Sequence, residues 1–197
     1  MRQAVRQDLV AAAAALAPQI RSSRDELESG RQVPAALVQA LDQAGLMQLY
    51  LPRSMGGPEV DPVTCYHIIE EISKVDGSVG WCTFLSSDGS YYTGWLQAEV
   101  GCKLFGSDPH VRIAASFRAL GEAQPVDGGY RITGRWDYAS GIDHANWLTV
   151  NCRVMDENGP KLTPSGDPEN RMFLVSAENA TIHDTWNPMG MLGTGSK

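Results

Sequence analysis

The sequence is short of positive charge and has no long apolar run, and each shortage excludes a class of protein. It carries 16 Lys and Arg against 23 Asp and Glu, a formal charge of −7, which argues against nucleic acid or an anionic membrane as a partner. The apolar run over residues 9–16 is mostly alanine, too short to span a bilayer and without the features of a signal peptide. We therefore expect a cytoplasmic globular protein with a sizeable core.

Motifs for metals and nucleotides are also missing. The sequence has no H-E-x-x-H, Walker or G-x-S-x-G motif, and its histidines lack metal-ligand spacing, so we expect no metal. The glycine-rich residues 190–196 do not lie between a strand and a helix, as a dinucleotide fingerprint would. The cysteines form no C-x-x-C pair, which predicts reduced, buried thiols rather than a disulfide framework. They are Cys65, Cys82, Cys102 and Cys152.

Helical signals dominate the first half of the chain. Residues 2–28 are alanine-rich with a break at Pro18, and a second helix over residues 34–43 opens with proline in its first turn. Asp61 precedes a proline and predicts the capped start of a further helix. Apolar residues continue from residue 78, and we expect this stretch to break near Asp88.

Strand signals dominate the second half. Residues 130–138 alternate in polarity after a tight turn at 126–129, which predicts a hairpin. Further strands are predicted at 111–117, 147–154, 172–176 and 181–183. Helices followed by strands predict an α+β protein, with an all-helical domain over residues 1–108 and a β domain over residues 109–197.

The segment from Thr133 to Gly141 carries the most informative side chains. On a strand, Trp136, Tyr138 and Ser140 would share one face, and two rings with a hydroxyl suit a flat heteroaromatic ligand. Gly141 leaves room for a ligand to approach the backbone. An aromatic stripe in the core of a β-barrel has the same spacing, so the pattern alone leaves both interpretations open.

An ordered series of segments resembles the acyl-CoA dehydrogenase superfamily. The segments are residues 51–57, 70–81, 115–117, 128–147 and 190–196. Within the superfamily the chain is most similar to the oxygenase components of two-component flavin monooxygenases. Those proteins have an N-terminal helical domain, a middle antiparallel β-barrel and a C-terminal four-helix bundle, usually in a homotetramer. The resemblance implies the first two domains here, with the barrel truncated at its C-terminal end and the bundle missing.

The resemblance also implies a flavin, FMN or FAD, and the residues that hold it. Tyr138 would pack on the isoalloxazine ring, and Ser140 would act at flavin N5 as the catalytic contact. The implied cofactor-binding residues are Ser116, Phe117, Trp136, Tyr138, Ser140 and Gly141. Many relatives carry a substrate-side histidine in the helix after the Gly-Trp pair, which this sequence lacks. The substrate-side candidates are Trp81, Asp88 and Tyr91.

By resemblance, the protein is a reduced-flavin-dependent monooxygenase that hydroxylates an aromatic or polycyclic small molecule, with a partner reductase supplying the flavin. Two alternatives stay open: an FAD-dependent acyl-CoA dehydrogenase, and a truncated, non-catalytic fragment. Glu122 and Ala123 replace the serine and aspartate of many dehydrogenases, and Leu192 replaces an arginine of the glycine-rich end. An incomplete barrel would leave an open strand edge, so we expect the isolated chain to associate.

Overall fold

Seven α-helices make up the first part of the chain in the computed structural model, which describes residues 2–106 and 110–197, with side chains from residue 7 onward. They are α1 Arg2–Ala15, α2 Ala17–Ser22, α3 Arg24–Gly30, α4 Ala35–Gln43, α5 Pro62–Ser73, α6 Gly77–Tyr91 and α7 Ala98–Phe105. The alanine-rich stretch is therefore three short helices, with Pro18 in the first turn of α2. The predicted domain boundary, between residues 108 and 109, lies outside the described residues.

Aspartate side chains begin α5 and α6. Asp61 accepts a hydrogen bond from the Thr64 backbone N–H at the start of α5, as the sequence predicts. Asp76 does the same for α6 and accepts from the backbone N–H groups of Ser78 and Val79. The predicted break near Asp88 is wrong, because α6 runs on to Tyr91.

Gly89 explains why the predicted break does not occur. A Cβ atom on Gly89 would lie 2.6 Å from the Cβ of Ile113. The glycine thus lets α6 lie directly against the first strand, and its role is close packing rather than termination of the helix.

Five strands form a mixed sheet in the second part of the chain. They are β1 Ile113–Val126, β2 Gly129–Thr133, β3 Trp147–Asp156, β4 Gly159–Pro160 and β5 Asn170–Ser176. The order is β2-β1-β3-β4, and β5 also pairs with β3. The β1–β2 hairpin and the pairs of β3 with β4 and β5 are antiparallel, whereas β1 and β3 are parallel.

The α+β prediction is therefore confirmed, with two corrections to the sheet. The expected antiparallel barrel contains one parallel pair, and its described strands do not close into a barrel. Residues 181–183 are irregular rather than a strand. No helix in the described ranges is long and apolar enough to cross a membrane.

The strand predicted over residues 130–138 is shorter than expected. β2 ends at Thr133, and Tyr138 adopts a left-handed backbone conformation with φ of 60°. The Trp136 indole turns toward β3 and donates to the Asn151 carbonyl at 2.8 Å. The prediction that Trp136, Tyr138 and Ser140 share one strand face is wrong, because the strand has already ended.

Helices and sheet meet in a shared apolar cluster. It contains Leu51, Met55, Phe105, Val111 and Ile113, and the Phe105 and Trp147 rings meet edge to face at 5.3 Å. A partly buried ion pair crosses the same junction, with Arg112 Nη1 2.6 Å from Asp42 Oδ2. The junction therefore joins α4 and α7 to the sheet, and the candidate site lies beside it, where α6 packs against β1.

Candidate functional site

A cavity of about 450 Å³ lies where α6 meets the sheet, a size typical of small-molecule sites. We call it the junction cavity. It is lined by Trp81 and Leu85 of α6, Ala115 and Phe117 of β1, and Tyr138, Ser140, Trp186, Met191, Thr194 and Ser196. It therefore brings together four predicted site residues that lie up to 59 positions apart in the sequence.

The alternation of β1 decides which of its residues reach this cavity. Ala115 and Phe117 line it, whereas the Ser116 hydroxyl donates to the Asp137 carbonyl at 2.9 Å. Ser116, predicted as a cofactor contact, therefore directs its side chain away from the junction cavity. It holds the segment that leads to Tyr138.

Ser140 lies at the centre of a short row of hydrogen bonds. The Trp81 indole Nε1–H donates to Ser140 Oγ at 3.1 Å, and the Ser140 hydroxyl donates to Ser196 Oγ at 2.9 Å. Both serines are only 6% exposed. Trp81, predicted on the substrate side, and Ser140, predicted as the catalytic contact, are thus joined by a direct hydrogen bond between their side chains.

The glycine-rich segment, residues 190–196, forms one wall of the cavity. The backbone N–H of Gly141 donates to the Thr194 carbonyl at 2.8 Å, and that of Ala139 to the Lys197 carbonyl at 3.0 Å. Lys197 Nζ also lies 2.7 Å from Asp143 Oδ1, an ion pair with little solvent exposure. These bonds hold the segment against residues 139–141 and bring Ser196 beside Ser140.

Trp186 and Tyr138 provide two aromatic walls. Their ring centroids are 6.4 Å apart, with the planes at 87°. Arg31 fixes the tryptophan, donating to its carbonyl at 2.6 Å and forming an ion pair with Asp184. The Trp186 indole donates to the Leu192 carbonyl at 3.1 Å, so it is tied to the glycine-rich segment as well.

Sequence reasoning missed four residues that line the junction cavity on the side of the glycine-rich segment. They are Trp186, Met191, Thr194 and Ser196. The glycine-rich motif was the signal that pointed to three of them, but its lack of a strand–helix context argued against a site. The signal for Trp186 was weaker, since a lone tryptophan in an irregular stretch has no periodicity.

The substrate-side candidates lie along α6. Trp81 lines the junction cavity, whereas Asp88 and Tyr91 lie two and three turns further along the helix. The Tyr91 ring contacts that of Tyr92 at 6.1 Å, and Tyr92 contacts Phe117 at the same distance. Burial raises the pKa of the Asp88 carboxyl above its ordinary value. A row of aromatic rings thus leads from the cavity past this carboxyl.

A second, larger cavity of about 760 Å³ lies against the sheet, and Ser116 and Trp136 are among the residues that line it. These two predicted cofactor residues are therefore separated from Phe117, Tyr138 and Ser140, which line the junction cavity, and Gly141 lines neither cavity. The Trp136 N–H is already used by the Asn151 carbonyl. We take the junction cavity as the candidate site because it combines aromatic walls with two linked hydroxyls.

His144 supports the floor of the site. A Cβ on Gly141, which has φ of +77°, would lie 2.9 Å from His144 Nε2. Burial, and then the Arg112 guanidinium, lower the pKa of His144 to about 4, so the imidazole is neutral at pH 7. Across the described ranges, no group of three or more His, Cys, Asp or Glu side chains could hold a metal.

The lining of the junction cavity suits a flat conjugated ring. Trp81, Phe117, Tyr138 and Trp186 provide ring surfaces, and the serine pair provides polar contacts for an edge. The described lining includes no carboxylate, imidazole or amine. Its residues can therefore pack and orient a ligand, whereas electron transfer requires a bound group.

Several known proteins resemble this chain. Residues 1–96 match the family described as Acyl-CoA dehydrogenase, N-terminal domain. The oxygenase subunit HsaA of a flavin-dependent monooxygenase from Rhodococcus jostii (strain RHA1) is 33% identical over 182 residues, covering 92% of this chain and 46% of that protein. The oxygenase component of the FADH(2)-dependent resorcinol hydroxylase from Rhizobium sp. (strain MTP-10005) is 31% identical over 189 residues, covering 96% and 45%.

A solved structure agrees with these relatives. XiaF from Streptomyces sp., in complex with FADH2 and glycerol, has a TM-score of 0.89 at 31% identity and covers 99% of this chain and 48% of that one. The chain thus spans about half the length of the relatives it matches. The resemblance drawn from the sequence is confirmed. Residues 1–96 match the acyl-CoA dehydrogenase N-terminal domain family, and the chain as a whole shares its fold with XiaF.

Proposed function

We propose that this chain supplies the flavin-facing part of a reduced-flavin-dependent monooxygenase that hydroxylates an aromatic or polycyclic small molecule. The observation that carries the proposal is the junction cavity. There the Trp81–Ser140–Ser196 row of hydrogen bonds lies among four aromatic rings. The names of the relatives, a flavin-dependent monooxygenase subunit and a resorcinol hydroxylase component, support it.

The residues of the cavity would divide the work of holding a flavin, either FMN or FAD. Tyr138 and Phe117 would pack on the ring, and Ser140 with the Gly141 backbone would lie at its polar edge. Trp81 would fix the orientation of the Ser140 hydroxyl. When bound, a reduced flavin supplies the electrons that activate dioxygen, and the apolar walls exclude water.

The substrate would lie on the α6 side of the flavin. Trp81 lies nearest the serine pair, and Asp88 and Tyr91 follow on the same helix beside Tyr92. A wall of aromatic rings with one carboxyl favours a ring substrate that carries a polar group. We assign these three residues to substrate contact.

We further propose a partner reductase, because the relatives are named oxygenase subunits or components. The expected assembly is a homo-oligomer, a tetramer by analogy with the superfamily, and no nucleic acid or membrane is expected to bind. The four cysteines are all free, in keeping with a reducing, cytoplasmic setting. The prediction that all four are buried is wrong for Cys102, which is exposed at the surface of α7.

Acyl-CoA dehydrogenation is the second candidate, because the family matched by residues 1–96 carries that name. The two reactions separate cleanly in one experiment on the complete gene product. With chemically reduced flavin, dioxygen and a phenol such as resorcinol, the monooxygenase incorporates one oxygen atom from ¹⁸O₂ into the product. Anaerobic bleaching of bound oxidised flavin by an acyl-CoA, without such incorporation, would instead establish a dehydrogenase.

A further inference from the structure

Ser140 and Ser196 belong to a row of hydrogen bonds that begins at an indole. An indole N–H can only donate, so the Ser140 oxygen accepts from Trp81. The Ser140 hydroxyl in turn donates to Ser196 Oγ. Ser196 therefore accepts from Ser140, and within the described part of the chain its own proton has no protein acceptor.

The position of Ser196 is fixed by its neighbours. Gly195 has φ of +51°, and a Cβ there would lie 2.6 Å from Asp143 Oδ2 and 3.3 Å from the Arg31 carbonyl. Lys197 is held on the other side by its ion pair with Asp143 and by the Ala139 N–H. Ser196 itself is 6% exposed and lines the junction cavity. Its hydroxyl is thus held at the cavity wall on both sides.

We infer that Ser196 presents the free hydroxyl proton of this site to an acceptor atom on the edge of the flavin, and that Ser140 is the positioning residue that holds it. The inference rests on the proposed function, since the ligand concerned is the flavin. It revises the expectation from the sequence, which gave the donor role to Ser140. The two serines and Trp81 act as one unit that ends on the ligand.

Equilibrium titration of oxidised FMN and FAD with the complete gene product, followed by flavin fluorescence, tests this arrangement. Ser196→Ala is expected to weaken binding about five- to tenfold, the equivalent of one hydrogen bond of ~1 kcal/mol. Ser140→Ala is expected to weaken it by a similar factor, because Ser196 then loses its orienting donor. Since both changes remove the same donor, the double variant should bind within about twofold of the weaker single variant.

Control variants separate this role from a structural one. Ser90→Ala deletes a buried hydroxyl that bonds within α6, to the Ser87 carbonyl, and should leave flavin affinity unchanged. Ser196→Cys keeps the size of the side chain but donates weakly, so it replaces the alanine variant if that protein does not fold.

The possible outcomes are distinct. The inference is overturned if Ser196→Ala binds flavin within twofold of the wild type. It is also overturned if the loss of affinity in the double variant equals the product of the losses in the two single variants. In both cases the proposed function stands. If the wild type binds neither FMN nor FAD, in the oxidised or in the reduced form, the proposed function fails and the inference falls with it.

Discussion

Acidification should destabilise this fold through one buried imidazole. His144 lies beneath Gly141, and its Nδ1 has no hydrogen-bond partner among the described residues. Its pKa is lowered to about 4 by burial and then by the nearby Arg112 guanidinium, whereas an exposed histidine has a pKa of 6.5. The folded chain therefore excludes a proton that the unfolded chain binds between these two values.

The sign and size of the effect follow from linkage. Because the unfolded state binds the extra proton, the free energy of unfolding falls as the pH falls below 6.5 and levels off near pH 4. One factor of ten in proton affinity is worth about 1.4 kcal/mol, so His144 alone should remove about 2 kcal/mol by pH 5 and about 3 kcal/mol by pH 4. Since the imidazole supports residues 139–141, flavin binding should weaken over the same range.

Urea unfolding at several pH values between 7 and 4 measures this loss. His144→Gln removes the titrating group, so the variant should start less stable at pH 7 but lose less stability on acidification than the wild type. The difference between the two slopes cancels the contribution of the carboxyl groups, which both proteins share. If wild type and variant lose stability in parallel, His144 is not held neutral in the fold and the reasoning is refuted.

Two further changes test the packing around the site by chemical unfolding. Arg112→Gln removes the guanidinium from the Asp42 carboxylate, 8% exposed, and leaves the His110 imidazole, 3.2 Å away, as its remaining partner, so it should cost about 1–3 kcal/mol. Arg24→Gln in an exposed pair should cost less than about 0.5 kcal/mol. Gly193→Ala drives a Cβ into the Leu27 side chain and should cost about 1–3 kcal/mol, whereas Gly190→Ala, with nothing within 4 Å, should be neutral. Equal effects in either pair would contradict the assigned contacts.

Local signals in the sequence were enough for much of the fold. The cap at Asp61 and the hairpin turn at 126–129 depend on neighbouring residues, and both occur as predicted. The parallel pairing of β1 with β3 is not a local property. It joins residues about 30 positions apart, such as Ile113 with Trp147, so no tight-turn sequence connects the two strands and predicts their pairing.

The errors in the site have equally specific causes. The period-2 pattern of residues 130–138 continues in the sequence after the strand has ended. The left-handed backbone of Tyr138 could not be predicted, because a tyrosine, unlike a glycine, gives no signal for a positive φ. The break expected near Asp88 does not occur, because the neighbouring buried glycine, Gly89, permits close packing instead. Ser196 reaches Ser140 from 56 positions away, so only the folded chain brings the serine pair together.

The central claim, that the junction cavity holds a flavin, is tested most directly by flavin binding with matched aromatic deletions. We predict that the complete gene product binds FMN or FAD and that Tyr138→Ala weakens the binding about five- to thirtyfold, the equivalent of ~1–2 kcal/mol for a stacked ring. Tyr130→Ala removes a ring that instead contacts Phe173 and Arg171, and should bind as the wild type does. Absence of binding by the wild type, or equal losses in the two variants, would contradict the account.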